Sequence, residues 1–304
     1  MQNVPATNPP PAPTADSAVQ MEVPALPTEV PILNENAWRE YRDKPGLTTL
    51  NSVHIALVAD ESGVERLCYV KMLPDMTSPT LLCEAMGWVL AGHAGLRRAD
   101  FAAFLFVDKD KLGQCQTLTY ECMTFAGPLI PAWCTEAIPG SAIMSGRKGP
   151  GMQFIQDQKT FLNSKDARKF AAFDKWTGLR DRNMGNVIRH KAGGYASIDH
   201  ETMLHDILWG HSHFNLHDLV SMAEAEFDAK RVKAFKSEMT RAAAGHAGAL
   251  AGAKIELQAL LNLLLPGEKN KHADALGFLD ARSQSGWLAN QLGVIDMAPK
   301  KEEE

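Results

Sequence analysis

Two apolar runs, Val53 to Ala59 and Leu67 to Leu73, flank the turn DESG and predict a β-hairpin. Ser78 and Pro79 supply a helix start, and Thr80 to His93 repeats apolar residues at helical spacing. Phe101 to Val107 and Gln116 to Phe125 predict two further strands, the second ended by Gly127-Pro128. Ser164 caps a helix whose inner face is Ala167, Phe170, Phe173 and Trp176. Val187-Ile188 and Tyr195 to Ile198 flank a Gly-Gly turn and predict a second hairpin. Beyond residue 217 the period is helical, over Leu216 to Phe235, Ser237 to Leu265 and Ala273 to Leu292, with a break at Pro266-Gly267. The sum is an α+β chain, strands first and helices last.

Composition changes this picture mainly at the ends. Residues 1–34 hold eight prolines, three acids and no Lys or Arg, which predicts a disordered or polyproline-like arm extending to about residue 37. Its functional alternative is a docking ligand for an aromatic groove. Removing residues 1–34 is therefore expected to leave the melting temperature nearly unchanged. Residues 299–304 form a charged tail. The 304 residues are 45% hydrophobic, enough for one large domain or two lobes. A net charge of −5 gives no basic signal for nucleic acid. No apolar run reaches membrane-spanning length, no secretion signal opens the chain, and five cysteines form no C-x-x-C pair. A cytoplasmic protein with reduced thiols is the expectation.

The candidate chemistry lies in Trp176 to Glu201. Asp181 precedes Asn186 by five residues, and the second hairpin brings Asn186 to its open end beside Asp199. An amide oxygen and a carboxylate suit a hard cation such as Mg²⁺. Asp181 is left to accept a proton from an incoming hydroxyl, a division of labour that fits phosphoryl transfer. Upstream, Lys71 sits in an otherwise apolar strand, where burial demands an anionic partner, and Glu84 lies on the next helix. The plainer alternatives are a lysine reaching water from an edge strand and a solvated glutamate.

Phe173, Asp174, Trp176, Asp181, Arg182, Asn186, Ile198, Asp199 and His200 together resemble the HipA-like branch of the protein-kinase-like superfamily, whose pattern is FD-W----DR---N followed by IDH. The resemblance extends to the Y-V-K strand and the helix carrying Glu84. It implies a two-lobed kinase-like fold, with a small antiparallel β lobe over residues 38–128 and a larger helical lobe over 129–298. It also implies ATP and Mg²⁺ as cofactors, Lys71 and Glu84 orienting phosphates, Asp181 as the catalytic acid-base group, and Asn186 and Asp199 as metal ligands. The crossing between lobes is expected at Glu121 to Thr124, with Glu121 and Met123 beside adenine. A phosphate cover is sought at Asp60 to Gly63 or at Ser145 to Gly151. The implied reaction is a serine/threonine protein kinase's. A lipid kinase, which shares DR---N, and a non-catalytic interaction module remain alternatives. Glu201 departs from the glycine common at that place in better-known kinases. Lys71→Met is expected to lower nucleotide-dependent activity by orders of magnitude with far less effect on stability.

His200, His205, His211, His213 and His217 raise a different possibility, a transition-metal site, with His213 and His217 on one helical face. Packing and surface roles are the simpler expectation. Lys230, Arg231, Lys233 and Lys236 read as a solvated basic face.

Overall fold

The computed structural model describes residues 27–45, 52–115, 118–144, 151–210 and 217–294. Its strands are β1 (Ile32–Leu33), β2 (Trp38–Asp43), β3 (Ser52–Ala59), β4 (Glu65–Met72), β5 (Ala102–Asp108), β6 (Leu129–Glu136), β7 (Gly140–Ala142), β8 (Val187–His190) and β9 (Tyr195–Ser197). Helices are α1 (Thr80–His93), α2 (Tyr120–Thr124), α3 (Met152–Leu162), α4 (Lys165–Thr177) and α5 (His205–Leu208), followed by α6 (Leu219–Glu226), α7 (Ala229–Ala243), α8 (His246–Leu264), α9 (Lys269–Ser283) and α10 (Trp287–Leu292). The result is an α+β fold: a mixed sheet of six strands, a small sheet of three, and a larger helical part.

The large sheet runs β1-β5-β6-β4-β3-β2, antiparallel except where β1 joins β5. Side-chain alternation divides its two faces between two cores. Val70, Met72, Leu105, Ala132 and Cys134 pack on one face against Cys122 of α2. Phe104 and Trp133 on the other face join α1, α4, α7 and α8 in one continuous core. Thus α1, although it follows β4, shares its core with the helical part. Among the described residues no helix is long and apolar enough to cross a membrane.

Three sequence expectations change. The strand expected over residues 116–125 is in part a helix, α2; residues 116 and 117 lie outside the described residues. The partner of β5 is instead β6, which begins immediately after the Gly127-Pro128 step and includes Pro131. A proline inside a central strand is unusual, and the chain tolerates it here with Leu73 N–H donating to Pro131 O at 2.8 Å. The boundary expected at residue 128 therefore falls inside the β5–β6 hairpin, and the large sheet ends at Glu136.

The expectation of an amino-terminal arm reaching residue 37 also changes. Residues 1–26 lie outside the described residues, but residues 27–37 pack on the body. The Glu256 carboxylate, on α8, accepts from the backbone amides of Thr28, Glu29 and Val30 and from the Thr28 hydroxyl. Val30 is fully buried, and β1 then adds to the edge of the large sheet. Converging amides on a buried carboxylate stabilise a segment that average composition marks as solvated. Finally, the helical stretch expected from Leu216 breaks at Phe227, where Asp228 caps α7 by accepting from Arg231 N–H at 2.9 Å.

Candidate active site

Alternation along β4 puts Lys71 on the sheet face that α1 covers, opposite Val53 of β3 and Trp133 of β6. Its ammonium contacts Glu84 Oε1 of α1, Asp199 Oδ1 at 2.9 Å and Glu201 Oε2 at 3.2 Å. Residues distant in sequence thus meet at one cation. Glu84 is nearly fully buried, and its second oxygen accepts from His200 N–H at 3.0 Å. Close packing makes this possible. A Cβ on Gly87, one turn beyond Glu84, would lie 2.2 Å from His200 Cβ, so α1 approaches the loop after β9 only because that position is glycine. Asp199 itself adopts φ of 60°, a left-handed conformation that costs a non-glycine residue free energy and here aims its carboxylate at Lys71.

The electrostatics follow from three carboxylates around one ammonium. Burial lowers the Lys71 pKa, but Asp199, Glu84 and Glu201 outweigh it and hold the amine well above its ordinary value. Burial pushes Glu84 up to about 7, aided by Asp199 and Glu201 and opposed by Lys71. Burial also raises Asp199, yet Lys71 draws it below the ordinary carboxylate range. Oxygen atoms of Glu84, Asp199 and Glu201 all lie within 4.8 Å of one another. Such a donor set suits a hard cation.

Residues 181–186 stand on a buried frame. Arg182, fully buried, pairs with Asp174 of α4 at 2.9 Å and donates to the carbonyl oxygens of Asn186 and Ile198 at 3.2 and 2.9 Å. It therefore ties both strands at the base of the β8–β9 hairpin. Phe173 meets His200 edge-on with ring centroids 5.8 Å apart, while Trp176 stacks on His246 and donates to Leu279 O. Asn186 Nδ2 donates to Asp181 O at 2.9 Å. Asp181 receives Asn183 Nδ2 at 3.2 Å on each oxygen, and its own N–H donates to Thr202 Oγ1.

Other expected positions are not brought to this site. Glu121 and Met123 are exposed on α2, whose Cys122 packs against Val70 and Met72 on the sheet face opposite Lys71. Their helix thus lies on the other side of the sheet from Lys71, not beside it as expected for residues that meet adenine. The Asp60–Gly63 turn joins β3 to β4 six residues along the strand from Lys71, roughly 20 Å away at 3.3 Å per residue, too far to cover phosphates there. Of the other candidate cover, residues 145–150 lie outside the described residues.

Among the described residues, His200, His205 and His217 do not form one cluster. His200 is buried against Ser197 Oγ at 3.1 Å, with its pKa lowered to about 3 by burial and then by Arg182. His217 forms a bridge with Asp181 ahead of α6, so it is not on a helix; its Nε2 lies 4.0 Å from Asp181 Oδ1. Residues 211–216 lie outside the described residues. In the basic stretch, Lys236 pairs with Glu224 at 2.7 Å and Arg231 lies 4.1 Å over Phe227.

Sequence reasoning missed Glu201 as a member of the site. The available signal was its place two residues after Asp199, near enough to share a cation. The chain matches no protein-family model, and no curated protein matches it.

Proposed function

We propose that the protein is an ATP- and Mg²⁺-dependent kinase that transfers the γ-phosphate to a serine or threonine hydroxyl of a protein substrate. The observation that carries this reading is the meeting of Lys71 from a central strand, Glu84 from α1 and Asp199 from the end of the β8–β9 hairpin. A Lys–Glu pair beside a metal-binding aspartate is what phosphate orientation in kinase-like folds uses. Lys71 supplies positive charge to the phosphates, and Glu84 holds that lysine in place. Asp199 and the amide oxygen of Asn186 are the metal ligands, and a bound Mg²⁺ there supplies neutralisation of phosphate charge. Asp181 accepts the hydroxyl proton of the acceptor.

The same sheet face offers a seat for the base. Register places Tyr69 opposite Ile55 and Leu67 opposite Leu57, all on the side of Lys71, and Leu67 and Tyr69 remain substantially exposed. An apolar, partly open surface beside a phosphate-binding lysine fits a planar adenine. This surface takes the place expected for Glu121 and Met123.

Labelling with γ-labelled ATP, with and without Mg²⁺, tests the proposal. The parent protein transfers label to itself or to an added protein, and Asp199→Ala and Asn186→Ala abolish transfer while remaining folded. Label reaching a phosphoinositide and no protein selects the lipid-kinase alternative. Failure to bind or turn over nucleotide in any condition removes the enzymatic reading.

A further inference from the structure

The small sheet carries a cleft of about 600 Å³ at the closed end of the β8–β9 hairpin. Ser141 of β7, Arg189 and His190 of β8, and Lys191, Gly193 and Gly194 of the turn line it, and none of its lining residues is acidic. The length of β8 separates it from Asn186, roughly 13 Å at 3.3 Å per residue, so it is distinct from the site around Lys71. We infer that this cleft docks an extended, acidic segment of a partner protein. The inference involves no nucleotide and stands apart from the kinase reading.

Spacing and charge carry the argument. Lys191 N–H donates to Pro139 O at 2.9 Å, so the alternation of β8 continues into the turn and Arg189 and Lys191 share a face, roughly 6.6 Å apart. An extended chain repeats its side chains on one side at the same interval, so acids at alternate positions meet both cations. Arg189 pairs with buried Asp157 at 3.2 Å, yet its side chain is 53% exposed and keeps guanidinium donors for a ligand. Lys191 is exposed, and no ion pair among the described residues involves it. His190 Nδ1 accepts from Ala192 N–H at 3.0 Å, which places the neutral ring's proton on Nε2 as a further donor. Asp166, an acid near the turn, is already engaged by Tyr195 N–H at 2.8 Å. Gly193 leaves the cleft wide, since a Cβ there would meet nothing within 4 Å. The backbone offers a second kind of contact. β7 is the edge of its sheet, and the bonds from Lys191 to Pro139 and from Ile143 to Val187 turn positions 139, 141 and 143 toward β8. Gly140 and Ala142 therefore present outward N–H and C=O groups to an added strand. A net charge of −5 repels a long polyanion, so local cations of this kind suit a short acidic segment better than a nucleic acid.

Fluorescence anisotropy on the full chain, with a labelled peptide that alternates Glu with Thr, tests the docking site. The parent is expected to bind this peptide, and high salt is expected to weaken binding by screening. The counterpart peptide with Gln in place of Glu, and the Lys191→Glu variant with the original peptide, should each show affinity lower by roughly tenfold. Lys271→Glu makes the same charge change on α9 and should leave the affinity at the parent value. Lys191→Gln replaces the Glu variant in the comparison if that chain does not fold, with a smaller loss expected. No binding by the parent, an unchanged affinity in the Lys191 variant, or an equal loss in Lys271→Glu overturns the inference. Tighter binding of a single-stranded oligonucleotide of equal charge by the parent overturns the assignment to a protein segment.

Discussion

Replacing Lys71 with Met removes one charge and keeps most of the stem, and the structure changes what that substitution should do. Lys71 is the shared partner of Glu84, Asp199 and Glu201, with its side chain 14% exposed and that of Glu84 only 4%. Without the ammonium, three carboxylates within 4.8 Å of one another lose their cation. Removing one partner of a buried ion pair costs roughly 3–5 kcal/mol. Part of this is relieved because Glu84, already pushed up to about 7, takes a proton more readily once Lys71 is gone. A net loss of about 3 kcal/mol is expected at pH 8, equivalent to roughly 5 °C in Tm for a protein of this size. The sign of its pH dependence follows. A carboxylic acid whose folded pKa is raised costs stability when ionised, so the loss should shrink as pH falls from 8 to 5.5. Urea denaturation followed by circular dichroism at both pH values measures it. The double variant Lys71→Met/Glu84→Gln should regain much of the stability yet none of the nucleotide-induced rise in Tm. The expectation drawn from sequence, that stability changes far less than activity, is thus replaced by a coupled loss. A Lys71→Met protein within 1 kcal/mol of the parent at pH 8, still stabilised by ATP, would refute the reasoning.

Deleting residues 1–26 is expected to leave Tm close to the parent value. Deleting residues 1–34 should lower it by roughly 5–10 °C, because β1 and the amide contacts to Glu256 are lost together; equal melting curves would refute the strap. Arg182→Met strands the buried Asp174 and frees two carbonyls at the hairpin base, so a loss of roughly 3–5 kcal/mol is expected in chemical denaturation, and a loss below 1 would refute the frame. Burial lowers His54 to about 4, and its Nε2 accepts from Trp38 Nε1 at 2.9 Å. The neutral ring contributes stability that is complete above pH 6.5 and falls by up to about 3 kcal/mol as pH drops to 4, where the folded ring protonates. His54→Gln should flatten this part of the stability profile, and an unchanged slope would show that His54 does not drive it.

Local chemistry was enough to place many elements. The Ser164 cap and the spacing of Ala167, Phe170, Phe173 and Trp176 mark α4; the Gly-Gly turn marks the β8–β9 hairpin; and Thr80 to His93 is bounded as its helical spacing requires. These features depend on residues a few positions apart, so the sequence carries them directly. Lys71 and Glu84 were legible as a candidate pair for the same reason, since a buried lysine demands an acid and the next helix offers one. What the tertiary structure alone decided is which distant surfaces meet. A period of two says that Lys71, Tyr69 and Leu67 share a face, but not that α1 covers one face while α2, with Glu121 and Met123, covers the other. The capture of residues 28–30 by Glu256 spans more than two hundred residues, and no local propensity encodes it. Glu201 joins Lys71 only because Gly87 lets α1 close on the loop after β9. Contacts of this kind reflect packing between elements rather than backbone preference within them, which is why they became visible only in the folded chain.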